Sequence, residues 1–278
     1  MVGIKLSGRL GNQMFQFAFI FCTSKKLNVS FFIIDGDSEA TRFYLPRYFV
    51  LDGFNPLLNS AQKVYFSFKK GKTTQFDSAM PPSTNLAQTF DNLVYQGYMQ
   101  SEEYTLGMKK ELKKMFKFKD EFLNDFKEGF GSLFANNKTI AIHIRRKDYT
   151  SFGDEELGGK DLTLPLSYYE NCLKKIDNVD GYKVVFVSDD IQYVKKKMFP
   201  PQNNYYYADH DNMAIDFQII QNADIAIVSN STFAWWGAYL NNKVNCTVYA
   251  PKYWLGFKVK HEHPKGITSV KEWNWISG

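Results

Sequence analysis

Between residues 139 and 249, short apolar runs alternate with longer amphipathic segments, and this alternation limits the fold more than any other feature of the chain. The apolar runs, rich in β-branched and aromatic residues, predict strands near residues 139–144, 183–187, 205, 225–228 and 244–249. The segments between them predict helices at residues 166–176, 191–198, 213–222 and 232–240. Because strands that alternate with helices form parallel sheets, we expect a doubly wound α/β domain here.

The N-terminal residues begin in the same way, with a strand, a turn, a helix and a second strand. These elements are predicted at residues 2–7, 8–13, 14–27 and 29–34. Residues 35–135 are interrupted by four prolines and predict loops, with amphipathic helices near residues 103–117 and 120–133. A chain of 278 residues can bury two cores. We therefore expect two domains, at residues 1–135 and 136–278.

The charge of the chain is mildly positive, with 34 Lys and Arg against 29 Asp and Glu spread along the sequence. Such a charge suits an anionic small molecule or an acidic membrane surface better than duplex nucleic acid. The three cysteines are far apart, which predicts neither a disulfide framework nor a zinc cluster. Neither a signal-peptide pattern nor a run of about 18 apolar residues is present. We expect a cytoplasmic protein with room for peripheral association at the inner face of the membrane.

Two adjacent arginines follow the strand in Ile140-Ala-Ile-His-Ile-Arg-Arg-Lys-Asp148. Side chains alternate across a strand, so His143 and Arg145 share one face while Arg146 points to the other. One arginine can therefore face a ligand and the other the protein interior. The planar guanidinium group makes paired hydrogen bonds to phosphate, which predicts an anion site, although a basic strand end with solvated arginines fits the same pattern.

A second candidate anion site follows the strand at residues 225–228, where Ser229-Asn-Ser-Thr-Phe233 leads into an aromatic helix. Ser231 or Thr232 is expected to cap that helix, and its free backbone N–H groups favour a phosphate. A plain cap without a ligand is the alternative. In the preceding apolar helix, the carboxylate of Asp216 could accept hydrogen bonds from the N1–H and 2-amino groups of guanine. The alternatives are an exposed helical Asp and a salt bridge to a neighbouring basic strand.

The turn Gly8-Arg-Leu-Gly-Asn-Gln13 lacks the full spacing of a dinucleotide-binding motif. Its side chains Arg9 and Asn12 are instead candidates for contact with a sugar or a phosphate. Asp35-Gly-Asp37 imitates the Asp-x-Asp triplet of metal-dependent glycosyltransferases, which keeps a metal-dependent reaction open as an alternative. Asp189-Asp190 either binds a ribose or caps the helix that begins at Ile191.

Four ordered motifs make the chain similar to the bacterial alpha-1,2-fucosyltransferases of glycosyltransferase family 11. The motifs are Gly8-Arg-Leu-Gly-Asn-Gln-Met-Phe-Gln-Phe17, His143-Ile-Arg-Arg-Lys-Asp148, Val187-Ser-Asp-Asp190 and Ser229-Asn-Ser-Thr-Phe-Ala-Trp-Trp-Gly237. The resemblance implies a GT-B-like α/β fold, in which two Rossmann-like domains face a cleft. It assigns the acceptor to the N-terminal domain and GDP-L-fucose to the C-terminal domain. It also implies inversion at the anomeric carbon and no metal or other cofactor.

The same resemblance assigns roles to individual residues. Arg145 would bind the diphosphate of the donor and, with Asn12, belong to the catalytic residues. Arg9 and Asn12 would approach the fucose. The donor-binding set implied in this way is Arg9, His143, Arg145, Asp216, Ser231, Thr232 and Phe233. Arg146 and Asp148 are expected to support that set.

The expected reaction transfers fucose to the 2-hydroxyl of a terminal galactose, in a free oligosaccharide or a lipid-linked glycan. The alternatives are transfer to another position or acceptor, a metal-dependent transfer through Asp35 and Asp37, and a non-catalytic GDP-sugar-binding module. The sequence leaves the catalytic base open, with candidates at residues Asp154, Glu155, Glu156, Glu102 and Glu103. We also expect the loop over residues 150–165 to be mobile and to close over the acceptor.

Overall fold

The computed structural model describes residues 1–68 and 71–277, and the chain divides into two compact units. The N-unit comprises residues 1–119 together with 263–269, and the C-unit comprises residues 120–262 and the chain from Val270 onward. The boundary falls after residue 119 and not, as the sequence predicts, after residue 135. The difference arises because the helix of residues 120–126 packs on the helix of residues 213–222.

The N-unit contains a four-stranded parallel sheet. Its strands are β1 (Val2–Lys5), β2 (Phe31–Ile34), β3 (Lys72–Gln75) and β4 (Leu93–Gln96), in the order β2-β1-β4-β3. The first two are predicted from the sequence. The expectation of only loops and helices over residues 35–135 is wrong, because β3 and β4 lie there. β3 has no strongly apolar residue and lies at the edge of the sheet, so backbone pairing rather than burial holds it in place.

Five helices complete the N-unit, namely α1 (Leu10–Leu27), α2 (Leu45–Tyr48), α3 (Pro56–Phe68), α4 (Pro82–Leu86) and α5 (Lys109–Met115). α1 begins four residues before the predicted helix and is buried on almost all sides. It ends at Asn28, whose left-handed conformation (φ 53°) stops the helix. In the described part of the chain, no helix combines the length and the hydropathy needed to cross a bilayer.

The C-unit contains a six-stranded, entirely parallel sheet. Its strands are β5 (Thr139–Ile144), β6 (Lys183–Ser188), β7 (Tyr205–Tyr207), β8 (Ile225–Ile227), β9 (Thr247–Pro251) and β10 (Asn274–Ile276). They lie in the order β10-β9-β8-β5-β6-β7, the doubly wound order of a dinucleotide-binding fold. The sequence predicts all of these strands except β10, although β9 begins three residues later than expected.

Six helices accompany this sheet, namely α6 (Asp120–Phe126), α7 (Ser132–Asn136), α8 (Leu166–Leu173), α9 (Ile191–Tyr193), α10 (Met213–Asn222) and α11 (Thr232–Tyr239). One turn of π-helix, Lys127–Gly131, links α6 to α7, and another, Val194–Met198, extends α9. The isoleucines of β5 pack with β6 and α8 into one buried cluster. This core fixes the ends of β5 and β8 next to each other.

Gln16 joins the ends of two strands inside the N-unit. Its side chain is fully buried within α1. The Oε1 atom accepts from the N–H of Ser7, and Nε2 donates to the Oγ of Ser7 and to the carbonyl of Gly97 at 2.8 Å each. Gln13 is buried in the same way and donates to the carbonyl of Arg42. Both glutamines of the first motif therefore hold loops in place.

Replacing Gln16 by Leu should lower the free energy of unfolding by about 1–3 kcal/mol, because partly buried polar groups of Ser7 and Gly97 would lose their partner. Urea unfolding followed by circular dichroism measures this change. The exposed Gln88 provides the matched control, and Gln88→Leu should change stability by less than about 0.5 kcal/mol. Equal effects of the two substitutions would contradict the structural role of Gln16.

Candidate active site

The candidate active site lies at the carboxyl ends of β5 and β8 in the C-unit. These two strands are neighbours, and the strand order reverses between them because β6 and β7 lie to one side and β9 and β10 to the other. In parallel α/β sheets, ligands bind at this switch point, outside the carboxyl ends of the strands. The arginine motif follows β5 and the Ser-Asn-Ser-Thr segment follows β8. The fold therefore brings the two predicted anion sites to one edge of one sheet.

A buried hydrogen bond connects the two strand ends. The Nδ1 atom of His143 lies 2.9 Å from the Oγ of Ser229, and both residues are almost completely buried. Burial, helped by the nearby charge of Arg145, lowers the pKa of His143 to about 3. The imidazole is therefore neutral at physiological pH. Its ring centre lies 5.8 Å from that of Phe233, so the histidine also contacts the first turn of α11.

Arg145 is held by two carboxylates in the free protein. Its Nη2 lies 2.8 Å from one oxygen of Asp148 and donates to the other at 2.9 Å, while Nη1 lies 3.3 Å from Asp189. Burial opposes the charged form, but the hydrogen bond to Asp148 and the two negative charges raise the pKa of Arg145 above its ordinary value. The guanidinium group is therefore always charged, and 20% of the side chain remains exposed.

Arg146 makes different contacts from its neighbour. Its guanidinium carbon lies 3.5 Å from the ring centre of Tyr193, a stacking distance. Its Nε donates to Asp190 at 3.4 Å, and its backbone N–H donates to Asp189. Asp190 also occupies the N-cap of α9, where its side chain accepts from the N–H of Tyr193. Arg146 is therefore anchored between β5 and α9, as a structural arginine would be.

The helix that follows β8 begins with groups that can receive an anion. Ser231 stands at the N-cap of α11 but its side chain makes no cap hydrogen bond, which differs from the expected cap. Thr232 and Phe233 are half-buried in the first turn. The body of the helix is fixed by the buried side chains of Trp235 and Trp236. The first backbone N–H groups of α11 and the Ser231 and Thr232 hydroxyls thus lie on a rigid support.

Asn230 attaches the arginine motif to this helix. Its Nδ2 donates to the carbonyl of Leu162, and its own carbonyl accepts from the hydroxyl of Tyr149 at 2.9 Å. The side chain is fully buried, and its Oδ1 atom has no hydrogen-bond partner among the described residues. Tyr149 also contacts the guanidinium group of Arg145, whose carbon lies 5.6 Å from the ring centre.

Asp216 lies in α10, in a mostly apolar setting. Burial, increased by the negative charge of Asp211, raises the pKa of Asp216 to about 8. Its Oδ1 atom lies 3.7 Å from Nε2 of His210, whose own pKa is lowered by burial. Both side chains are therefore largely neutral at pH 7, and the contact is not an ion pair. Asn212 caps α10 by accepting from two backbone N–H groups and fixes the position of Asp216 along the helix.

The predicted residues of the first motif lie at the carboxyl end of β1 in the N-unit. Gly8 has a φ of +69°, and a Cβ there would meet Nδ2 of Asn12 at 2.2 Å, so only glycine fits. Asn12 accepts a hydrogen bond from Nε2 of Gln100 at 2.8 Å. Arg9 stands at the N-cap of α1 and is exposed. The turn thus presents one arginine and one oriented amide.

The two carboxylates of Asp35-Gly-Asp37 are engaged with other groups of the N-unit. Asp37 pairs with Nζ of Lys5 at 2.8 Å. Asp35 accepts from the N–H of Phe43 and lies 3.9 Å from Nζ of Lys63. Two lysines therefore supply the positive charge that a divalent cation would supply, and the triplet fits a metal poorly.

Four of the five candidate bases are exposed, and Glu102 is half-buried. Asp154, Glu155 and Glu156 lie at the surface of the loop that follows the arginine motif. Leu162 and Leu164, near the end of that loop, are buried. Any closure of the loop is thus restricted to the residues before Leu162.

Four residues of this site fall outside the implied donor-binding and supporting sets, namely Tyr149, Asp189, Ser229 and Asn230, although the sequence marks Asp189 as a candidate ribose ligand and places Ser229 and Asn230 in the second candidate anion site. Asp189 pairs with Arg145 because both residues follow the last aligned pair of β5 and β6, Ile144 and Ser188. That register is a tertiary property. The positions of Ser229 and Asn230 are predictable from the sequence, because small polar residues directly after a buried strand lie at the edge of the sheet where ligands bind.

The family model described as glycosyl transferase family 11 matches residues 1–277. The chain belongs to glycosyltransferase family 11. Among curated relatives, it is 27% identical to the O-antigen biosynthesis glycosyltransferase WbnK of Escherichia coli, over 90% of this chain and 93% of that one. It is 26% identical to an alpha-1,2-colitosyltransferase of Escherichia coli, over 92% of each.

A solved structure with the same fold is the fucosyltransferase NodZ from Bradyrhizobium. It is 13% identical, with a TM-score of 0.53 over 85% of this chain and 91% of that one. This likeness concerns the fold and confirms the GT-B-like α/β class expected from the sequence. Membership of the family makes the protein a glycosyltransferase of the fucosyltransferase type.

The raised pKa of Asp216 predicts a pH-dependent stability. The folded protein keeps the proton on Asp216 up to a pH of about 8, whereas the unfolded chain releases it near pH 4. The folded state therefore loses stability as the pH rises from about 4 to about 8. Asp216→Asn should be more stable than the wild type at pH 8, by a margin that shrinks toward pH 4. Thermal unfolding across this range measures the margin, and a constant margin would contradict the assignment.

Proposed function

We propose that this family 11 enzyme transfers L-fucose from GDP-L-fucose to the 2-hydroxyl of a terminal galactose, with inversion at the anomeric carbon. One observation gives the main support for this proposal. A permanently charged, partly exposed arginine, Arg145, and the first turn of α11 meet at the switch point of a doubly wound sheet. Such an arrangement suits the diphosphate of a nucleotide sugar.

Binding of the diphosphate is proposed as an exchange of partners at Arg145. In the free protein, Asp148 and Asp189 occupy the guanidinium donors. A phosphate oxygen would take one of these donors, while the remaining carboxylate keeps the side chain oriented. The hydroxyls of Ser231 and Thr232 and the N–H groups of α11 would receive the second phosphate, with Phe233 beside it. His143 is neutral, so it supports this edge without adding a charge.

Guanine is proposed to bind at Asp216. An ionised carboxylate accepts two hydrogen bonds from the N1–H and 2-amino groups of guanine, a pair that adenine lacks. The free protein holds this carboxyl largely protonated because the site is apolar. Guanine would supply the donors that stabilise the ionised form, so the base selects the charge state that recognises it.

Transfer itself exchanges one bond for another at C1 of fucose. The acceptor hydroxyl oxygen bonds to C1 from one face while the bond from C1 to the phosphate oxygen breaks on the other. GDP leaves with the electron pair, and the hydroxyl proton passes to a base or to water. Arg145 and α11 would stabilise the charge that develops on the leaving diphosphate, in place of a metal. Arg9 and Asn12 are proposed to orient the fucose.

The identity of the catalytic base and the closure of the loop over residues 150–165 are two further proposals. Asp154, Glu155 and Glu156, or Glu102 and Glu103 in the N-unit, could receive the proton. In a loose, oxocarbenium-like transition state, the acceptor hydroxyl becomes acidic only after most of the bond to the leaving group has broken. Such a reaction needs little help from a base. The part of the loop before Leu162 is proposed to cover the acceptor. Limited proteolysis tests this, since GDP and acceptor together should slow cleavage there.

A related donor is the second candidate. One relative is named as an alpha-1,2-colitosyltransferase, and colitose differs from L-fucose only in lacking the 3-hydroxyl. A site built to hydrogen-bond that hydroxyl would reject the deoxy sugar strongly, whereas a site without such a contact would accept both sugars. Parallel assays with GDP-fucose and GDP-colitose decide between the two donors.

The function is tested by measuring GDP release from GDP-fucose, with lactose and N-acetyllactosamine as acceptors and with excess EDTA. We expect acceptor-dependent release that survives EDTA, and an α1,2 linkage in the product by NMR. Loss of release in EDTA with recovery by manganese would overturn the metal-free mechanism and return Asp35 and Asp37 to consideration. Donor binding without release, for a panel that includes lipid-linked galactosides, would indicate a binding module instead.

Arg145→Ala should lower kcat about 10²–10³-fold while the protein stays folded, because it removes a preorganised positive charge from the leaving group. Steady-state assays and circular dichroism measure the two properties. Arg146→Ala is the matched control. It should mainly lower the melting temperature, since Arg146 stacks on Tyr193 and pairs with Asp190. Near-wild-type turnover by Arg145→Ala would end the assignment.

A further inference from the structure

Helix α3 of the N-unit has its polar and apolar sides reversed. The side chains that it buries against the sheet are Asn59, Gln62 and Phe66, two of which are polar amides. Large apolar side chains point to solvent instead, namely Leu57, Leu58, Val64, Tyr65 and Phe68, with exposures from 51% to 83%. Five of the thirteen exposed large apolar side chains among the described residues therefore lie on this one helix.

The exposed apolar residues form a continuous stripe. Leu57, Val64 and Phe68 are spaced by seven and four residues and lie on one line along the helix. Leu58 and Tyr65, spaced by seven, form a parallel line beside them, and the exposed Ala61 lies in the same band. We call this surface the α3 stripe. A contiguous apolar patch of this kind marks an interaction surface.

The amide of Asn59 explains why the helix binds the sheet through polar groups. β2 is an edge strand, and its residue Ile33 has a free N–H and a free carbonyl on the outer side. Asn59 satisfies both, since Oδ1 accepts from the N–H at 2.6 Å and Nδ2 donates to the carbonyl at 3.3 Å. The inward face is therefore occupied by this polar contact and by Phe66, whose ring centre lies 5.0 Å from that of Phe32, and the apolar residues outside have no role in the core.

The segment of the sequence that carries the stripe is basic. Residues 53–76 contain four lysines, at positions 63, 69, 70 and 72, and no Asp or Glu. Among those that the structure describes, Lys72 is exposed at the start of β3, and Lys63 is half-buried on α3 with its Nζ 3.9 Å from Asp35. An apolar helical face in a segment of this charge matches the interface of a membrane with anionic lipids.

We propose that the α3 stripe docks the protein on an anionic lipid bilayer, with α3 lying in the interface plane. Leu57, Val64 and Phe68 enter the boundary between headgroups and acyl chains, and the neighbouring lysines contact the lipid phosphates. Docking in this way holds the enzyme at the membrane without a spanning helix. The surface is independent of the candidate active site, so the proposal stands or fails apart from the identity of the sugar donor.

Co-sedimentation of the full-length protein with sucrose-loaded vesicles tests the proposal. We expect binding to vesicles of phosphatidylcholine with about 30% phosphatidylglycerol, a weaker binding to phosphatidylcholine alone, and a decrease with added salt. The triple variant Leu57→Gln, Val64→Gln and Phe68→Gln should bind about tenfold more weakly or worse. Lys72→Gln should weaken binding about fivefold, the effect of one lysine near the surface.

Val244→Gln serves as the matched control, because Val244 is 99% exposed but lies in the C-unit. It should bind vesicles like the wild type. All variants should retain the melting temperature and the GDP release with a soluble acceptor, since none of these residues belongs to the candidate site. A loss of vesicle binding then reflects the surface and not a misfolded protein.

Equal binding by the triple variant and the wild type would overturn the proposal, as would the absence of binding to anionic vesicles. Sedimentation velocity tests the alternative that a second copy of the chain binds the α3 stripe. A concentration-dependent dimer that the triple variant abolishes, in a protein that ignores vesicles, would assign the α3 stripe to a second copy of the chain and refute lipid docking.

Discussion

The hydrogen bond between His143 and Ser229 is the contact on which the site depends. It joins the ends of two neighbouring strands at the point where the strand order reverses, and burial keeps its imidazole neutral. The arginine motif extends from one side of this bond and α11 from the other. Asn230 and Tyr149 then fasten the two extensions together. Positive charge and free backbone N–H groups are thereby brought to one edge before any ligand arrives.

The free site carries its charges in compensated form. Arg145 is neutralised by Asp148 and Asp189, and Asp216 is largely protonated. A nucleotide that brings two phosphates and a guanine edge would reverse both arrangements. At Arg145 a phosphate would replace an existing carboxylate partner, whereas at Asp216 guanine would supply donors to an oxygen, Oδ1, that has no hydrogen-bond partner among the described residues.

The elements that the sequence predicts well are those whose side chains decide their burial. The isoleucines of β5 and the valines of β6 alternate or run together in a way that only a buried strand explains. β3 and β10 escape prediction because they lie at sheet edges and are held by backbone pairing, and β4 is missed as well although Val94 and Tyr95 are buried. At the site, the residue types predict the anion chemistry, but the partners of Arg145 depend on the register of β5 against β6. No local pattern encodes that register.

The amide of Asn59 also governs how the N-unit can meet other molecules. By occupying both free backbone groups of Ile33, it denies an added strand two of the hydrogen bonds that this edge of the sheet could offer. Association of another molecule with this face of the N-unit then proceeds mainly through side chains. Such side-chain contacts dissociate more readily than the backbone hydrogen bonds of a shared sheet. A surface as apolar as that of α3 would otherwise invite irreversible aggregation. The hydrogen bonds of Asn59 therefore favour reversible association through the α3 stripe.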